Sequence, residues 1–304
     1  MQWEYNKEDF VVDGDALFGE GARTEDSKIT KSGDNYYMAV SSGIDGNHMD
    51  IYLLKSKSLH GPWEKVQDKP IISRGNFYDF DFRYLRLGGI NFDNGTWFIY
   101  YSGQNLLRQD SVGLAITSAK DFPFGWKKYN KNPILEKNGD SWESTSILTL
   151  SVKKIGSVGK EWYGHYTGKG KDKKYHLGAC YSNSPYGPFF RCENNPILGR
   201  GDWDFNGPAR ADIIKFEDKI YGAYESAKSG PVFQIGGYSG DTTGGPFEKI
   251  FSDLPFLSGL DKGLQFANPC FWQEDGKLYL FVGRKITSNQ TPCWRYIDFL
   301  TLKY

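Results

Sequence analysis

The sequence predicts an all-β fold, a five-bladed β-propeller with four antiparallel strands in each blade, and three observations carry that prediction. The first is a phrase that returns: KPII at Lys69 and NPIL at Asn132 and Asn195, with Pro70, Pro133 and Pro196 spaced 63 residues apart. The second is a set of five runs that alternate aromatic and small residues: NYYMAVSSG, TWFIYYSG, EWYGHYTG, KIYGAYESA and KLYLFVGR. Their anchors Tyr37, Phe98, Tyr163, Tyr221 and Tyr279 are separated by 61, 65, 58 and 58 residues. A period that long marks a repeated supersecondary unit, and alternation with period two makes the unit a sheet. The third is a turn phrase after four of the runs: GPW at Gly61, FGW at Phe124, and GPF at Gly187 and Gly245.

The elements follow in order. Each blade opens with an inner strand and a tight turn: SKITKSGDN, LGGINFDNG, LTLSVKKIGSVG, DIIKFED and CFWQEDG. Their Gly-Asp-Asn, Asn-Gly and Glu-Asp-Gly steps suit two-residue hairpins. The hairpins of blades 2 and 3 read as longer than the others. The alternating run is the second strand, and DIYLLKSKS, VGLAITSAK, HLGACYSNS, FQIGGYSGD and RYIDFLTLK are the third. The turn phrase then opens a fourth, whose end is the NPIL phrase. Blade 5 stops after its third strand at the end of the sequence. The segment QWEYNKEDFVV from Gln2 aligns with GWKKYNKNPIL from Gly125, completing an aromatic series of Trp3, Trp63, Trp126, Phe189 and Phe247. Residues 2–12 are therefore expected to pair with the last strand near Arg295 to Lys303, which removes an open edge. Residues 1–304 read as one domain.

Composition narrows the partners. Lys plus Arg and Asp plus Glu are both 37, so no basic field exists to attract nucleic acid or an acidic membrane surface. No run approaches the roughly 18 apolar residues of a membrane span, and MQWEYNKEDF lacks a signal-type apolar core. The expectation is a cytoplasmic, unexported protein. Cys180, Cys192, Cys270 and Cys293 show no CxxC spacing and read as reduced thiols, and the Asn289 sequon then carries no meaning. Oligomeric state is not legible.

In a propeller, the connection from an outer strand to the next inner strand crosses one face around the central channel. Here those connections concentrate carboxylates: Asp13, Asp15, Glu25 and Asp26, then Asp79 and Asp81, Asp140 and Glu143, and Asp202 and Asp204. The residue eleven before each anchor marks an inner-strand entrance and is Asp26 in blade 1, Arg210 in blade 4 and Asn268 in blade 5. In blades 2 and 3 the nearest acids are Asp81, with Asp79 as its rival, and Glu143. Opposed carboxylates of this kind suit cleavage of a glycosidic bond, where one protonates the leaving oxygen and the other activates water or attacks the sugar.

The five-blade count, TEDSKITKSGDNYYMAV, the S-x-S-x-x-G-P-W type turn and WES before an inner strand resemble the glycoside hydrolases built on five-bladed propellers, including families 43, 32 and 130. The family 43 resemblance implies Asp26 as base, Asp81 as the residue tuning pKa and Glu143 as acid. Ser27 stands where that family has Pro, and Phe82-Arg83 follow Asp81 in place of its Asp-Pro context. Arg23 with Glu25-Asp26 resembles the Arg-x-Glu-Asp phrase of family 130, without its Pro-Arg. The Asn-Asp-Pro-Asn-Gly and Arg-Asp-Pro phrases of family 32 are absent. The resemblance implies no cofactor, though it allows a structural Ca²⁺ in the central channel, and no dense oxygen-ligand motif is present.

For substrate binding the candidates are Arg210, Trp142, Trp203, Asn268 and Glu225, with His48, Asp50 and Arg284 on the rim. Arg210 either binds a substrate group or pairs with Asp212 or Asp204; the two tryptophans either stack on a sugar or pack their blade. His165, inside a strand, reads as structural. The expected function is inverting hydrolysis of an oligo- or polysaccharide. A phosphorylase and a non-catalytic carbohydrate-binding propeller are the alternatives, and the strong differences among the five loops favour a single asymmetric pocket.

Overall fold

The computed structural model describes residues 2–4, 10–44, 48–139, 141–228, 232–286 and 296–303. Asp140, Cys293, Arg295 and the Asn289 sequon lie outside the described residues. Five antiparallel sheets form the blades. Blade 1 is Arg23–Ser32, Asn35–Gly43, Asp50–Ser56 and Glu64–Lys65; blade 2 is Leu85–Asp93, Thr96–Gln104, Asp110–Ser118 and Lys127–Lys128. Blade 3 is Ser146–Lys153, Trp162–Lys169, Tyr175–Ser182 and Phe190–Arg191; blade 4 is Ala209–Phe216, Lys219–Ser226, Gln234–Gly240 and Glu248–Lys249. Blade 5 is Leu264–Glu274, Lys277–Ile286 and Tyr296–Lys303, and the start of the chain completes it. Gln2–Glu4 pairs there with Gln2 opposite Lys303, and Phe10–Asp13 pairs with Asp13 opposite Tyr296. The ends of the chain thus share one sheet, and the ring closes through backbone hydrogen bonds.

Each core lies between neighbouring blades, because each sheet turns one side-chain face to the sheet on either side. Tyr37, Ala39 and Ile51 of blade 1 meet Leu85, Ile90 and Trp97 of blade 2, and four similar clusters follow around the ring. A fully buried side chain of this size contributes roughly 1.5–3 kcal/mol.

In blades 1 to 4 the outer strands are two residues long, and the stretch that follows, the NPIL phrase in blades 2 and 3, extends them. Leu135 bridges Val112 and Leu198 bridges Leu177, as Ile72 does Ile51 and Leu257 does Ile235. Asparagine opens the phrase because its amide imitates a neighbouring backbone. Asn132 Oδ1 accepts from Leu114 N at 2.8 Å while its Nδ2 donates to Leu114 O at 2.9 Å, and Asn195 does the same to Ala179 at 2.7 and 3.0 Å.

A second repeat buttresses blades 2, 3 and 4. In each, an aromatic-acid pair from the loop before the inner strand drops onto a second-strand tyrosine, three residues past the anchor. Tyr101 donates to Asp81 at 3.0 Å and Tyr224 to Asp204 at 2.7 Å, while Tyr166 hydrogen-bonds Glu143. A cation on the outer strand completes each set: Lys128 on Asp81 at 2.6 Å, Arg191 on Glu143 at 2.6 Å and Lys249 on Asp204 at 2.7 Å. Phe80, Trp142 and Trp203 lie over the three tyrosines, with ring centroids 6.0, 5.8 and 5.9 Å apart. Beneath each tyrosine is a cross-strand glycine, Gly113, Gly178 or Gly236, where a Cβ would come within 2.7, 2.6 or 2.2 Å of the tyrosine Cζ.

The expected long hairpin in blade 2 is corrected. Anchor and inner-strand partner are Phe98 and Asn91, with the same interval as Tyr37 and Thr30, Tyr221 and Ile214, and Tyr279 and Trp272. In blade 3, Tyr163 pairs with Lys153, so that hairpin alone is longer, by three residues.

Candidate active site

Every inner strand carries a β-bulge near its entrance, between Glu25 and Lys28, Leu87 and Gly89, Leu148 and Leu150, Ala209 and Asp212, and Ala267 and Cys270. In blades 1, 4 and 5 the first bulged residue is left-handed: Asp26 at φ 59°, Arg210 at φ 47° and Asn268 at φ 54°. The other described non-glycine residues with positive φ lie in hairpin turns or loop tips. Such conformations inside strands cost on the order of 1–3 kcal/mol each and persist where their surroundings enforce them, as functional sites do.

The bulge has a chemical result. Side chains of successive residues in a regular strand point to opposite faces, whereas the bulge turns Glu25 and Asp26 to one guanidinium. Arg210 Nη1 lies 3.6 Å from Glu25 Oε2, 3.8 Å from Asp26 Oδ1 and 2.6 Å from the Asn268 Oδ1 that accepts its hydrogen bond. Its Nε lies 3.3 Å from Glu225 Oε1, and Glu225 Oε2 accepts from Asn268 N at 3.0 Å. Arg210 N donates to Thr167 Oγ1 at 2.8 Å, which orients the hub. Arg23 donates to Glu25 at 3.0 Å, and Arg86, 3.9 Å from Asp110, acts on Glu25 and Asp26 from blade 2.

Burial and charge split the adjacent acids. Burial alone would raise Glu25, but Arg23, Arg210 and Arg86 outweigh it and bring the carboxyl down to about 2. Burial raises Asp26 to about 7: Arg210 only partly opposes it, and the neighbouring Glu25 charge adds to it. Burial also raises Glu225, against Arg210. Glu25 Oε1, Asp26 Oδ2 and Asn268 Nδ2 are buried without a hydrogen-bond partner. Beside Glu225 lies a cavity of about 270 Å³, walled also by Lys173, Tyr175, Asn206, Ser226 and Phe233.

Asp26, Arg210, Asn268 and Glu225 thus meet. Asp81 and Glu143 do not contact them among the described residues: both carboxylates are held in the buttresses, as is Asp204, which was not proposed as catalytic. Trp203 is 6 % exposed and stacks on Tyr224, and Trp142 packs on Tyr166 and His176, so both take their blade-packing alternative. Asp79 closes its own turn by accepting from Asn76 N at 2.6 Å. Arg210 pairs with neither of its expected partners, since Asp212 takes Lys28 at 3.4 Å and Asp204 takes Lys249. On the rim, Asp50 holds Arg74 and Arg284 holds Asp298. His165, held between Tyr163 and Tyr238, is pushed by burial down to about 3.

Glu25 and Arg86 were not selected from sequence. Glu25 adjoins a selected residue and would lie on the wrong face of a regular strand, and the signal for Arg86 is a charge in the otherwise apolar LRLGGI. Lys28 of the blade 1 inner strand pairs across the ring with Asp212 of the blade 4 inner strand at 3.4 Å. Among the described residues no three His, Cys, Asp or Glu side chains gather to hold a metal ion. Cys180, Cys192 and Cys270 are free thiols.

No family model matches the sequence, and no curated protein matches it. The fold is shared with solved glycoside hydrolases. A thermostable family 43 glycoside hydrolase superposes with a TM-score of 0.71 at 18 % identity, over 96 % of this chain and 93 % of that one. A family 117 glycoside hydrolase of Zobellia galactanivorans gives 0.71 at 15 %, over 99 % and 89 %. A family 43 β-xylosidase/α-arabinofuranosidase from a compost microbial metagenome, solved with xylotriose, gives 0.66 at 16 %, over 100 % and 96 %. At these identities the likeness establishes the five-bladed propeller.

Proposed function

We propose that this protein hydrolyses a glycosidic bond of a carbohydrate at the head of the central channel, with Asp26 as the proton-transferring carboxyl. The observation that carries the reading is the split pair: two consecutive carboxyls, one held near 2 and the other near 7, on a fold shared with glycoside hydrolases. Acids whose environments drive their pKa values apart take different roles. Asp26, protonated up to neutral pH and with Oδ2 unengaged, donates its proton to the glycosidic oxygen as the bond to the anomeric carbon breaks. Ionised Glu25 offsets the positive charge that develops on the sugar. Glu225, in the cavity wall, takes a proton from the water that attacks the opposite side. One guanidinium spans Asp26 and Glu225, so they lie no farther apart than about 9.5 Å, the upper end of the range that inverting enzymes use.

This reading reverses the role the family 43 resemblance suggests for Asp26 and moves the second carboxylate from Glu143 to Glu225. It also favours water over phosphate as acceptor. Arg23 and Arg210 are matched by Glu25 and Glu225, and Arg86 by Asp110, so among the described residues these three arginines are already paired with carboxylates.

The test is an assay of aryl glycosides and oligosaccharides with product NMR during the first minutes. Wild type is expected to release the sugar with inverted configuration. Asp26→Asn should lower turnover of unactivated substrates by about a hundredfold or more, and less where the leaving group needs no proton. A fully active Asp26→Asn variant, or binding of sugars with no cleavage by wild type, overturns the proposal.

A further inference from the structure

The loop that enters blade 2 carries an aromatic tip with no place in the chemistry above. Phe77 is 49 % exposed and Tyr78 is 94 % exposed. Phe77 stands edge-on to Tyr78 at 5.1 Å and to Phe82 at 5.2 Å, so the three rings form one ordered cluster. The loop is tightly pinned. Gly75 N donates to Asp81 O at 3.1 Å, Asn76 N donates to Asp79 Oδ2, and the Asp81 carboxylate is locked in the blade 2 buttress. A Cβ on Gly75 would lie 2.2 Å from Asp81 Oδ1, so the turn has no slack.

From this geometry we infer that Phe77 and Tyr78 form a stacking platform for sugar rings beyond the cleavage site, and that the substrate is therefore a long oligosaccharide or a polysaccharide. The inference rests on the carbohydrate reading above. Position favours it, because the same loop runs on through Arg83 and Tyr84 into Arg86, which acts on the catalytic cluster. Chemistry favours it as well. Aromatic faces fit the C–H face of a sugar, while Asn76 and the Arg74–Asp50 pair beside them offer polar groups to its hydroxyls. A protein partner fits less well, since two rings that bury about 150–250 Å² each fall well short of the roughly 800 Å² a stable interface takes per side.

The experiment compares Phe77→Ala/Tyr78→Ala with wild type on an aryl monoglycoside and on long oligosaccharides of the same sugar, and by affinity electrophoresis in soluble arabinoxylan and arabinan. The double variant should lose about tenfold in kcat/KM on the long substrates, through KM, a loss typical of one good ring contact. Its aryl monoglycoside turnover and melting temperature should not change, and Tyr78→Trp should restore binding in Phe77→Ala/Tyr78→Trp. Equal losses on short and long substrates, or no loss on either, would overturn the platform. So would a shift from dimer to monomer with binding intact, because the rings would then be an interface. If wild type cleaves nothing, the hydrolase reading fails, and gel retardation still decides the platform: retardation lost in the double variant supports it, and unchanged mobility sinks it.

Discussion

The buttresses of blades 2 to 4 and the cluster at the head of the channel are both built from buried carboxylates beside cations, yet they are opposite kinds of site. In a buttress one carboxylate meets one cation and one tyrosine, in the same arrangement three times over. At the channel head one arginine is shared by Glu25, Asp26 and Glu225, three residues have left-handed backbones, and polar atoms are buried without partners. The repeated arrangement gives each carboxylate its own cation and tyrosine and serves the blade. The arrangement that departs from the repeat is strained and shares one cation among three acids, the condition of a site that waits for a ligand.

The sharpest way to break this comparison is to remove one carboxylate from each region. Beyond its lost turnover, Asp26→Asn should make the protein more stable above neutral pH. Burial raises Asp26 from its unfolded value near 4 to about 7, so its contribution is full below pH 4 and is lost as pH rises to 7. Removing the ionisable group should recover up to about 4 kcal/mol at pH 8 and little at pH 4, read by urea unfolding at both pH values. A variant less stable than wild type at pH 8 would place Asp26 with the structural carboxylates.

Glu25→Gln should act in the other direction. Glu25 is depressed to about 2, so its stabilisation is present above about pH 4.5 and lost as pH falls toward 2. The variant should lose about 3 kcal/mol at neutral pH and show a flatter acid limb. Without the Glu25 charge, Asp26 keeps Arg210 and Arg86, opposed only by burial and Glu225, and its pKa falls, so the alkaline limb of the pH–rate profile should move to lower pH. An unmoved limb would separate the two acids and leave the split unexplained.

The smallest effects are expected in the buttresses. Asp204→Asn, Glu143→Gln and Asp81→Asn should each cost about 1–3 kcal/mol in thermal unfolding, the worth of a charged hydrogen bond, while turnover by the folded protein is retained. Their order should follow how far solvent reaches each cation: Lys249 is 12 % exposed, Arg191 25 % and Lys128 32 %, so Asp204→Asn costs most. A collapse of turnover in Glu143→Gln with stability intact would return the acid role to Glu143.

Sequence alone was enough for the blade count, the strand order and the closure of blade 5 by the segment 2–12, which the structure resolves into pairings of Gln2–Glu4 and Phe10–Asp13. Those follow from local patterns, alternation, turn chemistry and aromatic anchors, that recur at a nearly constant interval and need no long-range information. The buttress was also written there, as a tyrosine three residues past the anchor and a cation two past the outer aromatic, and it could have identified Asp81, Glu143 and Asp204 as one recurring element. The count of eleven from each anchor reached Asp26, Arg210 and Asn268 without revealing what they share. That required the tertiary structure. A bulge adds one residue to a strand and reverses which side chains share a face, so register decided that Glu25 and Asp26 meet the same guanidinium. Arg23, two residues from Glu25, is local in the chain, but the burial that lifts Asp26 and the arginines of blades 2 and 4 that also depress Glu25 are not, because each exists only once the ring has closed around them.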